Sequence, residues 1–398
     1  MEDVSEPLTL KCGLTLPNRL VKAALAENMA DSRNLPHAQF YRAYSKWADG
    51  GWGMIFTGNV FVDPAYLGTP REVCIPTALD GSSKAAFARW AEASSAAGTP
   101  ALVQLNHPGR QSQIGAGTRS IWAKTIAPSP VPLDLGPGII TSIARRFLFG
   151  TPREMTSEDI NLVIAQFARS ARVVAEAGFA GVELHAAHGY LLAQFMSKKT
   201  NLRQDEWGGD PERRVRIVVE IIRRMREATP KSFAIGIKLN SADHQNDQDM
   251  EETMTQVKAI VEEGVDFVEI SGGTWEDPQM MADTPAPSAR TQAREAFFLT
   301  FAKAVRSRFP DAHLMVTGGF RSRGGMTEAV QEGACDLIGL GRPSVMDPAL
   351  PKNTIFNSEK SDSERLYTAT MRTGWLDYLL GSRAVGAGIE TIQKVLAL

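Results

Sequence analysis

The chain has 398 residues, with 43 lysines and arginines against 45 aspartates and glutamates, and a formal charge of −2. Apolar residues make up 43% and charged residues 22% of the sequence, which argues against a disordered, collagen-like or membrane-spanning chain. The balanced charge also argues against a nucleic-acid partner, which a strongly basic domain would indicate. The length allows two or three domains, or one α/β barrel with insertions.

Cysteine use and the first residues indicate a reducing compartment. Cys12, Cys74 and Cys335 are far apart and include no C-x-x-C pair, which argues against a disulfide framework and against a cysteine-rich zinc or iron–sulfur site. The acidic first residues lack the apolar core of a signal peptide, and the sequence has no run of about 18 apolar residues that could cross a membrane. We therefore expect a cytoplasmic protein with no membrane contact.

Short apolar runs recur at regular intervals and predict eight strands. Most of the runs are continuously apolar, as in parallel strands that are buried on both faces. The predicted strands are residues 20–24, 54–60, 101–106, 181–186, 234–240, 267–271, 314–318 and 337–341, and helical patterns lie at 156–178, 211–229, 250–264 and 293–309. This alternation predicts a (β/α)8 TIM barrel, with residues 1–398 forming a single domain.

Two segments fall outside the alternation of strands and helices. Residues 108–152, rich in glycine and proline, occupy the loop after the third strand, and loops of this length usually have a function or elements of their own. We interpret this insertion, which extends to about residue 155, as a cap over the barrel mouth that includes short strands; a flexible insertion is the alternative. Residues 352–398 are expected to form a tail with one or two helices that closes the barrel or contacts another subunit of a homo-oligomer.

Glycine-rich turns follow the last two predicted strands. Gly318 and Gly319 follow strand seven, Gly341 follows strand eight, and Arg342 adds a positive charge. Functional groups of a barrel collect where its strands end, and backbone N–H groups of turns after strands seven and eight commonly bind phosphate there. We interpret the two turns as a phosphate site rather than as tight turns alone.

His185 and His188 follow the fourth strand, with Tyr190 behind them. Their spacing suits two metal ligands or a paired core, but no further cluster of histidines or carboxylates accompanies them at the other strand ends. We favour a third interpretation, in which both histidines donate to an anionic or carbonyl oxygen. Tyr190 is then the proton donor, because a phenol with an ordinary pKa of about 10 is a neutral acid at pH 7.

Gln104 of the third strand and Lys238 of the fifth are expected to point toward the barrel axis. An amide suits the edge of a heterocycle that carries both C=O and N–H groups. A lysine suits an atom that becomes anionic on reduction. Together with a phosphate site, these residues indicate flavin mononucleotide (FMN) with its ring across the barrel mouth.

In this order and spacing, the motifs resemble the Old Yellow Enzyme family of FMN-dependent ene reductases over most of the chain. The similar segments are residues 17–20, Gly58, the run 102–110 with Gln104, the run 185–191, the spaced polar residues of 201–216, and the ends of strands seven and eight. The resemblance implies non-covalent FMN and NADPH or NADH as the reductant. It also implies a small enone-like substrate.

The resemblance also assigns roles to residues of this chain. His185 and His188 would bind the carbonyl of an α,β-unsaturated substrate, flavin N5 would deliver hydride to the β-carbon, and Tyr190 would protonate the α-carbon from the opposite face. The residues implied to contact the cofactor are Ala24, Leu25, Ala26, Gly58, Gln104, His185 and Lys238 around the ring, and Gly318, Gly319, Phe320, Gly341 and Arg342 at the phosphate.

Three positions depart from the family pattern. Ala26 stands where a threonine or cysteine usually bonds the flavin carbonyl, so we expect a lower reduction potential. Lys238 replaces the usual arginine, which keeps the charge but loses the planar fork, and Gly319 replaces a frequent asparagine. The absence of a cysteine cluster argues against the subfamily with an iron–sulfur domain.

Other functions remain open at this point. The same flavin barrel can act as a desaturase, an isomerase or a carbon–carbon bond-forming enzyme, which the altered Ala26 position motivates. A metal-dependent hydrolase or aldolase would use His185 and His188. A binding module would use the arginines of residues 213–226, whose ordinary interpretation is the solvated outer face of a barrel helix.

Overall fold

The computed structural model of the chain describes residues 3–136, 139–240, 247–271, 289–363 and 366. Within these ranges eight parallel strands form a closed ring, because the first strand pairs with both the second and the eighth. The predicted (β/α)8 barrel is therefore confirmed. The barrel strands are β1 (Leu20–Lys22), β2 (Met54–Phe61), β3 (Ala101–Asn106), β4 (Gly181–Ala186), β5 (Ala234–Asn240), β6 (Phe267–Ser271), β7 (Leu314–Thr317) and β8 (Leu337–Leu340).

Helices follow the strands around the ring. The α-helices of the described ranges are α1 (Ala38–Ala48), α2 (Gly81–Ser95), α3 (Ile139–Leu148), α4 (Ser157–Glu176), α5 (Leu191–Met196), α6 (Pro211–Ala228), α7 (Asp247–Glu262), α8 (Ala289–Arg308), α9 (Arg323–Gln331) and α10 (Arg342–Met346). The local sequence explains where the two longest predicted helices begin. Thr156 and Asp159 form a capping box before α4, and the Asp210 side chain accepts from the Arg213 N–H at the start of α6.

The predicted strand bounds agree with the observed ones to within two residues. The predicted starts of two helices were less accurate, because α7 begins at Asp247 rather than at residue 250 and α8 at Ala289 rather than at 293. Both helices begin with largely polar turns that lack the apolar period on which the prediction depended.

An apolar cluster fills the end of the barrel at which the strands begin. It includes Phe56 of β2 and Phe267 of β6, whose ring centroids lie 5.8 Å apart. A hairpin in which Leu8–Thr9 pairs with Thr15–Leu16 adds Leu10 to the cluster. Polar side chains of the barrel interior are consequently placed toward the other end, where the strands finish.

The insertion after β3 carries small elements and attaches to the segment that follows β4. Its strand Ile126–Ala127 pairs with Arg153–Glu154, and α3 lies between them. The buried guanidinium of Arg203 donates to the Pro128 carbonyl at 3.1 Å and to the Met155 carbonyl at 2.7 Å. These bonds fix the insertion at the end of the barrel where the strands finish; its role as a lid stays a prediction.

The first part of the tail packs against α9. Arg323 lies 2.6 Å from Asp362 and donates to the Lys360 carbonyl at 2.6 Å. The helices predicted for the rest of the tail lie outside the described residues. No helix in the described ranges has both the length and the apolar character needed to cross a membrane.

Candidate active site

The turn after β4 places His185, His188 and Tyr190 around one point at the barrel mouth. His188 Nδ1 lies 3.2 Å from His185 Nε2, and the Tyr190 ring meets His185 edge-on with centroids 4.7 Å apart. His188 has a φ of +56°, a left-handed conformation that costs about 1–2 kcal/mol for a residue other than glycine. The turn is therefore held by its surroundings.

Three other segments hold the His188 backbone and ring in place. Asn240 Oδ1, at the end of β5, accepts from the His188 N–H at 3.1 Å. Gln111 Nε2, from the insertion, donates to the His188 carbonyl at 2.9 Å, and Ser271 Oγ of β6 lies 3.3 Å from His188 Nε2. These bonds offset the backbone strain and fix the ring, as expected for a preorganised site.

Both imidazoles are neutral near pH 7. Burial, the neighbouring His188 and the charge of Lys238 lower the pKa of His185 well below its ordinary value. Burial and the charge of Lys238 lower the pKa of His188 to about 3. Because His185 Nδ1 accepts from the Ala187 N–H at 3.3 Å, its Nε2 carries the proton and donates to His188 Nδ1. The remaining N–H of His188 then points to Ser271.

Gln104 and Lys238 lie in one buried layer of the barrel interior, with β4 between their strands. Each is supported by a carboxyl group. Gln104 Nε2 donates to Glu183 Oε2 at 2.6 Å, and Lys238 Nζ lies 2.6 Å from Glu269 Oε1. The two residues expected to hold a cofactor ring are thus oriented by acidic partners beside them.

The pKa values of the two carboxyl groups are displaced in opposite directions. Burial and the nearby Glu269 carboxylate raise the pKa of Glu183 well above its ordinary value. Burial acts to raise the pKa of Glu269 as well, but the ion pair with Lys238 outweighs it and the pKa falls below its ordinary value. Burial acts to lower the pKa of Lys238, but the two carboxyl groups outweigh it, so the pKa is raised overall.

Sequence reasoning assigned no role to Glu183 or Glu269. The signal that identifies them is the two-residue period of a strand, in which Glu183 and His185 share a face of β4, as Glu269 and Ser271 do on β6. An acidic residue in the middle of a short, buried strand requires a polar or charged partner inside the barrel.

The glycine turns after β7 and β8 are neighbours, because these two strands pair up to their ends. Gly318 and Gly319 have φ values of +103° and +92°, two consecutive left-handed positions that favour glycine. Gly341 precedes α10, whose first residue is Arg342. The predicted phosphate residues, including Phe320 after the glycines, are partly or fully exposed at the mouth.

The turn after β1 reaches the same region. Leu25 Cδ2 lies 3.4 Å from where a Cβ on Gly341 would be, and the Leu25 carbonyl lies 2.3 Å from where a Cβ on Gly58 would be. Ala24 is partly buried and Ala26 is exposed. The structure therefore brings together the ends of β1 and β8 and the middle of β2, which the sequence assigned to one cofactor.

Gly58 is already engaged within the chain. Its N–H donates to Glu27 Oε1 at 2.7 Å, and a side chain at this position would meet Glu27 Oε2 at 2.0 Å. The same carboxyl group accepts a hydrogen bond from the Tyr44 hydroxyl. A cofactor contact at Gly58 would have to form in addition to these bonds.

Comparison with known proteins identifies relatives of this chain. The model of the NADH:flavin oxidoreductase / NADH oxidase family matches residues 3–359. "NADH-dependent flavin oxidoreductase iliE" of Hypocrea jecorina (strain QM6a) is 44% identical over 394 residues, which cover 98% of each chain. "NADH-dependent flavin oxidoreductase iccE" of Talaromyces variabilis is 45% identical over 401 residues, which cover 98% of this chain and 96% of that protein.

A solved structure shows the same fold. The Old Yellow Enzyme homologue of Zymomonas mobilis superimposes with a TM-score of 0.71 at 21% identity, over 88% of this chain and 92% of that one. The expected cofactors, FMN and a nicotinamide, are those of the matched family. The chain belongs to the NADH:flavin oxidoreductase / NADH oxidase family, which is the Old Yellow Enzyme family.

Proposed function

We propose that this protein is an FMN-dependent ene reductase that reduces the C=C bond of an α,β-unsaturated carbonyl compound. The observation that carries the proposal is the pair of neutral histidines bonded to each other, with Tyr190 against His185. Two N–H donors can bind a neutral carbonyl oxygen, and a phenol beside them can protonate the carbon next to that carbonyl.

The residues present fit FMN. Within the described chain the Gln104 side chain makes one hydrogen bond, to Glu183, so the rest of its amide can pair with a heterocycle edge. Lys238 is buried and charged in the same layer. The left-handed Gly318 and Gly319 expose backbone at the end of β7, where this fold binds phosphate. When bound, FMN supplies the hydride that adds to the β-carbon.

His185 and His188 would bind and polarise the carbonyl oxygen. The N–H of His185 Nε2, which now donates to His188, would turn to the substrate oxygen. His188 can then move its own proton to Nδ1, because Ser271 Oγ can donate to Nε2 as well as accept from it. The two imidazoles would thus present two N–H donors to one oxygen without gaining charge.

Tyr190 would give its phenolic proton to the α-carbon. A positioned general acid contributes about 10²–10⁴ in rate. We infer that NADH is the reductant, because two relatives that match this chain over nearly their full length are named NADH-dependent. A small molecule with an activated alkene would be the partner of this site.

The test separates the two half-reactions in a stopped-flow instrument. Tyr190→Phe should slow oxidation of the reduced enzyme by an enone by about 10²–10⁴ and leave reduction by NADH within about twofold. Tyr41→Phe is the matched control, because Tyr41 bonds the Pro36 and Ala86 carbonyls outside this site. Equal loss in both half-reactions would contradict the role of Tyr190, and purified protein that neither contains nor takes up FMN would refute the proposed function.

Turnover without NADH and the metal content of the purified protein distinguish the other functions. Turnover of an alkene or its saturated product without NADH would indicate an isomerase or a desaturase. Stoichiometric zinc or manganese with no flavin would indicate the metal-dependent hydrolase; in the described ranges no group of three or more His, Cys, Asp or Glu is placed to hold a metal ion.

A further inference from the structure

Two carboxyl groups lie in the layer beside the residues expected to hold the FMN ring, and the proposed chemistry uses neither of them. Glu183 is fully buried and bonds Gln104, while Glu269 is fully buried and pairs with Lys238. The layer thus contains two carboxyl groups and one ammonium group. Both carboxylates in charged form would leave one negative charge unbalanced in the barrel interior.

We propose that Glu183 and Glu269 are positioning residues that share one proton, with Glu183 neutral and Glu269 ionised, so that the charge of Lys238 is balanced and the reduction potential of FMN is kept low. This inference rests on the proposed function, since it takes the FMN ring to lie against Gln104 and Lys238.

One oxygen of Glu183 is available to carry the shared proton. Glu183 Oε1 is buried and receives no hydrogen bond from a donor elsewhere in the described chain, and its neighbour is Glu269, on the next strand but one. A proton on Glu183 gives this oxygen a bond to the Glu269 carboxylate. The other oxygen, Oε2, still accepts from Gln104. The pKa directions of the two groups agree with this arrangement.

The arrangement has a consequence for the cofactor. A lysine whose charge is balanced by a carboxylate stabilises added negative charge less than an unbalanced one, because the two fields oppose each other. Removing the Glu269 charge should therefore favour the reduced cofactor. Ala26 lacks a hydroxyl or thiol donor, so it should also lower the reduction potential of FMN, as the intact Lys238–Glu269 pair should.

Two isosteric substitutions test the assignment in the holoenzyme. Glu269→Gln is made in the Glu183→Gln background, so that Glu183 cannot ionise in its place. There it should raise the reduction potential of bound FMN by at least about 30 mV, which corresponds to a tenfold change in the ratio of FMN dissociation constants between the reduced and oxidised states. Glu183→Gln should leave the potential unchanged, because a glutamine can accept from Gln104 with its oxygen and donate to Glu269 with its nitrogen, as the protonated acid does. The potential is measured by equilibration with reference dyes.

The reverse outcome, a shift in Glu183→Gln and no further shift when Glu269→Gln is added, would place the proton on Glu269 and overturn the proposal. No shift in either variant would overturn it as well.

Urea unfolding gives a measurement that does not depend on FMN. Adding Glu269→Gln to Glu183→Gln should lower the midpoint, because Lys238 is then left buried without a charged partner, whereas Glu183→Gln alone should not. Adding Lys238→Met to that double variant should recover part of the loss, because no uncompensated charge remains. Failure of this recovery would contradict the charge balance. If the protein binds no FMN, the proposed function fails and the unfolding comparison still tests the shared proton.

Discussion

Two buried lysines of the barrel lie in opposite electrostatic situations. Lys238, in the barrel interior, is 3% exposed and contacts the Glu269 carboxylate, and its pKa is raised. Lys22 is 0% exposed; its Nζ donates to the Phe56 carbonyl at 2.9 Å and lies 4.4 Å from the centroid of the Trp47 ring on α1. Burial lowers the pKa of Lys22 to about 8.

The difference comes from the position of the carboxylate, since the two lysines are equally buried. Glu27 is near enough to Lys22 to raise its pKa partly, but within the described chain its oxygens bond Tyr44 and Gly58 instead. A carboxylate in direct contact outweighs burial, and one held by other donors does not. Charge in the interior layer is therefore fixed near neutral pH, whereas charge at Lys22 responds to mild alkali.

The largest expected effect is on the stability of the paired site. Lys238→Met should lower the free energy of unfolding by about 3–5 kcal/mol at pH 7, because Glu269 loses its charged partner in a buried site. Lys22→Met should cost less, about 1–2 kcal/mol, because it removes one hydrogen bond and relieves the burial of a charge. Urea denaturation of both variants measures the difference. Equal losses would show that contact with the carboxylate does not decide the outcome.

The second-largest expected effect is on the pH dependence of stability, which should differ between the two lysines. The pKa of Lys22 falls from 10.5 to about 8 on folding, so between these values the unfolded chain holds a proton that the folded chain lacks. Stability must then rise with pH across this window, by about 3 kcal/mol relative to Lys22→Met. The check is the unfolding free energy of the wild type minus that of Lys22→Met at pH 7.5 and 10.5, and a flat difference would refute the lowered pKa.

The local sequence was sufficient to predict the strands and the turn that form this site. The continuously apolar runs predict all eight barrel strands, because a strand buried on both faces has no polar alternation to obscure its limits. The His185, His188 and Tyr190 cluster is also local, since a single turn after β4 brings the three together. Their neutral charge could not be predicted, because it depends on burial and on Lys238.

Long-range partners could not be predicted. Gln104 and Glu183 are 79 residues apart and meet only because β3 and β4 pair in one register. Glu27 appeared in the sequence only as a neighbour of Ala26, yet its carboxyl group caps the Gly58 N–H across 31 residues. In both cases the pairing of neighbouring strands, rather than any local pattern, creates the contact.

An effect smaller than the alkaline rise in stability concerns the donors that hold Glu27 away from Lys22. Tyr44→Phe removes a buried hydroxyl that donates to this carboxyl group, and hydrogen bonds to charged groups are worth about 1.5–3 kcal/mol. We expect a loss in that range, together with an upward shift of the Lys22 pKa, because a Glu27 carboxylate released from Tyr44 can turn toward the lysine.

Tyr41→Phe is the matched control on the same helix, since its hydroxyl donates only to the Pro36 and Ala86 carbonyls at 3.1 and 3.3 Å within the described chain. It should cost about 0.5–1.5 kcal/mol and leave the alkaline rise in stability unchanged. In Tyr44→Phe that rise should move to higher pH. If both variants show the wild-type alkaline profile, the Tyr44 bond is not what keeps Glu27 from pairing with Lys22, and the contrast between the two lysines has another cause.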